Sequence, residues 1–214
     1  MKLAVNPLLL QIIALVHRDR GRLPQRRVDL YEECTNVLLE KWDMAKGLDV
    51  LLTAHESRNI LQPLALWLHE VDERRSAPLD EIRKVIEDPL EDIGKQDIDS
   101  KALLTNIRDR SGIFMGYSGS DYGFTHLSFQ EYLAAEQIRN KREIDTLLSN
   151  YGNRWWKEVI LLCLALDNPS VIEEFMEKLI PTDKFKKEIT LAEDALADAV
   201  SKPFRLFITA LHNT

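Results

Sequence analysis

The chain has 214 residues, 45% of them apolar and 29% charged, with a formal net charge of −7. That length holds one large domain or two small ones with a real core. The acidic balance excludes a protein built mainly to coat nucleic acid, and it opposes the basic face that membrane binding needs.

The chain opens N-P-L-L-L-Q-I-I-A-L-V-H-R-D-R. Asn6 is a good N-cap and Pro7 suits the first helical position, where a missing N–H costs nothing. Gln11 interrupts the apolar run and no small-residue cleavage site follows, so this is a helix and not a signal peptide. Gly21 stops it and Pro24 starts the next. There Val28, Tyr31, Cys34, Val37, Leu38 and Trp42 share one helical stripe. After a break around Gly47, a helix from about His55 to Val71 carries Ile60, Leu61, Leu64, Leu68 and Val71 on one face. Pro63 must kink it or mark its true start. Two more helices are expected, from Pro78 to Ile93 and from Ser100 to Arg110. The period then changes to two. G-I-F-M-G-Y and Y-G-F-T flank the turn S-G-S-D, a β-hairpin pattern. Three helices followed by a hairpin is the order of a winged helix.

The remaining third reads as helix. W-W-K-E-V-I-L-L-C-L-A-L is strongly apolar, N-P-S-V-I-E-E-F-M-E-K-L-I repeats the Asn-Pro start, and residues 183–200 and 203–212 give two further helices. Paired helices of this length suit the first units of an α-solenoid. The two cysteines, Cys34 and Cys163, both fall on apolar helical stripes. They read as buried free thiols of a reducing, cytoplasmic compartment. No window reaches 18 uninterrupted apolar residues, so no membrane partner is expected.

Catalytic motifs are missing. There is no P-loop and no Gly-x-Gly-x-x-Gly. G-Y-S-G-S fails as a nucleophile elbow because Ser120 stands where the last Gly belongs, and H-E-S-R-N lacks the second His of a zinc protease. The informative stretch is Y-G-F-T-H-L-S-F-Q-E-Y-L-A-A, residues 122–135. Ser128 and Glu131 have the spacing of a capping box, with Leu127 and Tyr132 as its hydrophobic staple, so the helix is expected to begin at Phe129. His126 then sits just upstream of a positive helix end that favours an anion. It is either a phosphate donor or a structural tie between wing and helix.

These residues resemble a known family. Phe124-Thr-His126-Leu-Ser-Phe129-Gln130-Glu131-Tyr132-Leu-Ala-Ala135 is similar to the winged-helix motif of NACHT-family NTPases, within the STAND class of signalling ATPases. Arg110-Ser-Gly112-Ile-Phe is similar to the strand entry before it. Asn6-Pro7-Leu-Leu-Leu and the segment from Leu23-Pro24 to Trp42 resemble the helical domain after the ATPase core, and Trp156-Lys-Glu-Val-Ile-Leu-Leu the helices after the winged helix. The resemblance implies a mainly α chain, the C-terminal portion of a longer protein. Its parts would be a helical domain at 1–50, a winged helix at 51–140 and a helical segment at 141–214. It implies that a separate P-loop domain of the same polypeptide binds ATP or ADP, and that this chain holds no cofactor of its own. His126 would contact the nucleotide phosphates in the closed state and Pro7 would pack near the adenine. Self-association on activation is a further implication.

Three functions are weighed. A regulatory module that holds an NTPase closed fits the motif. An independent winged-helix DNA binder would need a basic reading helix, yet residues 97–125 carry Lys101, Arg108 and Arg110 against Asp97, Asp99, Asp109 and Asp121. A hydrolase would need a paired nucleophile and base, and none is found. The module is the expectation, and nucleic acid is not an expected partner.

Overall fold

The computed structural model describes residues 10, 13–14, 16–18, 21–46, 52–117, 120–166 and 169–198. Asn6, Pro7 and the helix expected at 203–212 lie outside the described residues. The chain divides into two compact units, Met1–Leu64 with Arg75–Phe129, and Ala65–Arg74 with Gln130–Thr214.

In the first unit Gly21 ends a helical stretch with φ +72°, its N–H bonded to the His17 carbonyl. Helix α1 (Arg27–Lys46) starts three residues after the expected Pro24. The Arg26 carbonyl takes the Leu30 N–H, and the Arg26 guanidinium pairs with Asp29 at 3.1 Å, so the first turn is closed at Arg26. The expected stripe is buried at Val28, Tyr31, Cys34, Val37 and Leu38. Helix α2 (Ala54–His69) has Pro63 inside it, so the missing N–H falls within the helix and not at its start. Its start is fixed by a capping box. The Thr53 N–H donates to the Glu56 carboxylate at 2.7 Å, and the Glu56 N–H donates to Thr53 Oγ1 at 3.2 Å. Ile60, Leu61, Leu64 and Leu68 are buried as expected, but Val71 is 49% exposed. The helix ends at His69 and the chain turns through Glu73 at φ +62°, so Val71 never joins the stripe.

The wing follows. Strand β1 (Ser76–Pro78) leads into helix α3 (Leu79–Asp92), then helix α4 (Ser100–Ser111), strand β2 (Phe114–Gly116) and strand β3 (Asp121–Phe124). The expected hairpin is formed by β2 and β3, with Phe114 opposite Phe124. The third strand was not foreseen. β1 pairs antiparallel to the other side of β3, Ser76 opposite Gly123, giving the order β1-β3-β2. Asp99 caps α4 by accepting from the Lys101 and Ala102 N–H groups, and Gly112 closes it at φ +62°, where a side chain would be strained. Helix α4 packs on α1, α3 and β2, and α3 on β1 and β3. The shared core is built from Ile82, Ile86 and Leu90 of α3, Leu103, Leu104 and Ile107 of α4, and Phe114 and Phe124 of the hairpin.

The second unit takes the end of α2 and most of helix α5 (Leu127–Lys141). It continues through α6 (Ile144–Ser149), α7 (Lys157–Ala165), α8 (Pro169–Leu179), α9 (Asp183–Lys187) and α10 (Ile189–Asp198). Every residue of α7 from Val159 to Ala165 is buried, which is why its sequence is apolar all round. The single helix expected at 183–200 is broken. Glu188 leaves helical geometry at ψ 44°, and its carbonyl accepts the Tyr151 hydroxyl at 2.6 Å. Cys34 and Cys163 are both buried and free, and burial pushes each thiol up to about 12. Among the described residues no helix is long and apolar enough to cross a membrane.

Candidate functional site

His126 stands where β3 gives way to α5. The Thr125 N–H bonds the Ile113 carbonyl at 3.0 Å, which ends the hairpin one residue before the histidine. The helix then starts at Leu127 and not at the expected Phe129. His126 is itself the cap. Its Nδ1 accepts the Ser128 N–H at 3.1 Å, and its carbonyl takes the Phe129 N–H at 3.0 Å. Ser128 therefore lies in the first turn rather than at the N-cap position. Glu131, the other half of the expected box, is 8% exposed.

This bond fixes the chemistry of the ring. A backbone N–H can only donate, so Nδ1 carries no proton and the neutral imidazole holds its hydrogen on Nε2. Burial, and then the neighbouring Arg75 guanidinium, hold His126 below its ordinary pKa, which favours that neutral form. The half-buried ring therefore carries its hydrogen at Nε2.

The rest of the motif is structural. Phe124 and Phe129 are 2% exposed and belong to the core. Within the second unit, Gln130 is buried and its amide nitrogen donates to the Arg74 carbonyl at 3.0 Å, with His69 Nδ1 at 3.5 Å. Tyr132 is fully buried and its hydroxyl donates to Glu136 at 3.0 Å. His69 is fully buried. It stacks on Trp155 at 4.6 Å and meets Trp156 edge-on at 5.0 Å. The Trp155 indole N–H donates to the His69 carbonyl at 2.9 Å. Burial pushes the His69 ring down to about 4, against smaller opposing effects of Trp155 and Asp72. A lone histidine on an apolar helical stripe is the only sequence signal for this cluster. Pro7, the second expected site residue, lies outside the described residues. Among the described residues no group of three or more His, Cys, Asp or Glu side chains is placed to hold a metal.

A helix, a short strand, two helices and a two-stranded wing, closed into one three-stranded sheet, define a winged helix. The family model of the winged helix-turn-helix domain C-terminal to NACHT matches residues 27–138. The chain belongs to that family and is a C-terminal portion of a NACHT protein. No curated protein and no solved structure matched the chain.

Proposed function

We propose that this module senses the nucleotide bound by the NACHT domain of its own polypeptide and holds the protein closed until a signal arrives. The full-length protein is then an NTPase that binds ATP or ADP, with this chain supplying regulation and no catalytic group. One observation carries the reading. His126 Nδ1 is occupied by the Ser128 N–H, so the ring offers its hydrogen at Nε2, the form that donates to a phosphate oxygen. The residues present fit that partner. The imidazole sits beside a helix N-terminus and a guanidinium, and both favour an anion. Bound ADP would supply the acceptor. What the chain does is orient the ring and keep it neutral. Pro7 is proposed, on the resemblance alone, to pack near the adenine. A cytoplasmic setting and self-association on activation belong to the same proposal.

The test separates capping from contact. His126→Ala should lose the cap and about 1 kcal/mol of stability. His126→Ser keeps an N-cap acceptor but cannot reach a phosphate, so it should melt close to wild type. In the polypeptide that includes the NACHT domain, both variants should release ADP roughly tenfold to a hundredfold faster, the range for one lost charge-assisted hydrogen bond. Wild-type ADP release from a well-folded His126→Ser protein would leave His126 as a helix cap and nothing more.

A further inference from the structure

We propose that Tyr117 is a positioning residue for His126: its hydroxyl helps to fix the peptide group that leads into the histidine. The consequence for nucleotide release rests on the reading of His126 above, and the experiment below separates the failure of the two.

One residue, His126, lies between the end of the hairpin at Thr125 and the start of α5 at Leu127. Its pose is therefore set from both sides. On the helix side, Nδ1 takes the Ser128 N–H and the carbonyl takes the Phe129 N–H. On the strand side, the peptide group between Phe124 and Thr125 is held at both of its polar atoms. Its N–H donates to the Ile113 carbonyl at 3.0 Å, and the Thr125 hydroxyl donates to the same oxygen at 3.3 Å. Its carbonyl oxygen, from Phe124, accepts the Tyr117 hydroxyl at 2.7 Å. A planar peptide group turns as a unit, changing ψ at Phe124 and φ at Thr125 and swinging the chain that follows. Here that turn would break bonds on both sides of the plane.

The register of the sheet leaves this carbonyl to the phenol. β1 pairs with β3 from Pro78 opposite Asp121 to Ser76 opposite Gly123, so the ladder stops one residue short of Phe124. Tyr117 donates its own N–H to the Asp121 carbonyl, three residues before the carbonyl its side chain reaches. Alternation puts Tyr117 on the face of Met115, where the two are 38% and 37% exposed, while Phe114 and Phe124 turn into the core. Burial therefore does not account for an aromatic residue at 117, and a phenylalanine would cover as much. The hydroxyl accounts for it, at the optimum distance for an O–H donor on an oxygen.

Tyr117→Phe removes that oxygen from an exposed ring and leaves the backbone bonds of the hairpin in place, so it should melt close to wild type. Hydrogen exchange followed by NMR in the 214-residue chain reads the Ser128 amide, which is bonded to His126 Nδ1. In the variant this amide should exchange about two- to tenfold faster, the range for one lost neutral hydrogen bond. The Glu56 amide, bonded to Thr53 Oγ1 at the start of α2, should keep its rate and so report that the unit has not loosened as a whole. Unless Ser128 exchange speeds while Glu56 exchange does not, Tyr117 does not position the histidine and the proposal falls. In the polypeptide that includes the NACHT domain, Tyr117→Phe should speed ADP release about two- to tenfold, less than His126→Ser. Faster release from both variants supports the proposal together with the His126 reading. If neither variant speeds release while Ser128 exchange is faster, Tyr117 positions a helix cap and the nucleotide reading fails alone. If His126→Ser speeds release and Tyr117→Phe does not, the pose set by Tyr117 has no bearing on the contact, and the proposal is overturned while the His126 reading stands.

Discussion

Acidification should destabilise this protein through one buried imidazole. His69 is fully buried against Trp155 and Trp156, and burial holds its ring down to about 4 from an ordinary value of 6.5. Because the folded-state value is depressed, the unfolded chain binds the extra proton first. The stabilising effect is complete above about pH 6.5, is lost as pH falls from 6.5 to 4, and changes no further below 4, where both states are protonated. The fall from 6.5 to about 4 corresponds to about 3 kcal/mol, at about 1.36 kcal/mol per tenfold change in proton affinity. That is a large share of the roughly 5–15 kcal/mol by which domains are stable. Carboxylates also titrate at the low end of this range, so the comparison must cancel them. His69→Phe keeps an aromatic ring on Trp155 and removes the titrating group. Urea unfolding followed by far-UV circular dichroism, at about pH 7.5 and about pH 4.5, gives the difference between wild type and variant at each pH. The variant should be the less stable at the higher pH, having lost the Gln130 contact. It should gain on wild type by about 2–3 kcal/mol at the lower pH. An equal difference at both values would show that His69 does not titrate in this window, and the burial argument would fail.

Two further outcomes follow from close contacts at the strands and caps. Gly123→Ala should cost about 1–3 kcal/mol, because its methyl meets the backbone of Arg75 and Ser76, whereas Gly116→Ala, whose nearest neighbour is the Tyr122 ring at 3.6 Å, should stay within about 0.5 kcal/mol in the same urea series. Thr53→Ala should cost about 1 kcal/mol by removing the cap of α2, and Ser128→Ala clearly less because His126 caps α5; calorimetric melts showing the reverse order would return the α5 cap to Ser128.

The helices were legible because burial on one face writes a 3.6-residue period into the sequence. Val28, Tyr31, Cys34, Val37 and Leu38 show it on α1, and Ile60, Leu61, Leu64 and Leu68 on α2. Periodicity does not mark where a helix stops. Val71 keeps the spacing but lies beyond the end of α2, and only the positive φ at Glu73 explains the turn. The hairpin was legible from local alternation about a turn. β1 was not, because Ser76–Pro78 is three residues long and its partner lies more than 40 residues away at Asp121–Phe124. A strand that short exists through its pairing, and pairing at such distance leaves no local pattern.

The site shows the same division between local and tertiary control. Capping-box spacing occurs at Thr53 with Glu56 and at Ser128 with Glu131, among other places. The first forms, at a Thr53 that is exposed and a Glu56 that also meets Lys95 at 3.7 Å. At the second, Phe124 and Phe129 must both enter the core from opposite sides of a four-residue gap. That requirement brings the helix start forward to Leu127 and hands the cap to the histidine between them. The motif spacing thus placed a helix start beside His126 but assigned it to the wrong cap. The substitution His126→Ala therefore removes a helix cap as well as the proposed nucleotide contact, and His126→Ser is the variant that separates the two.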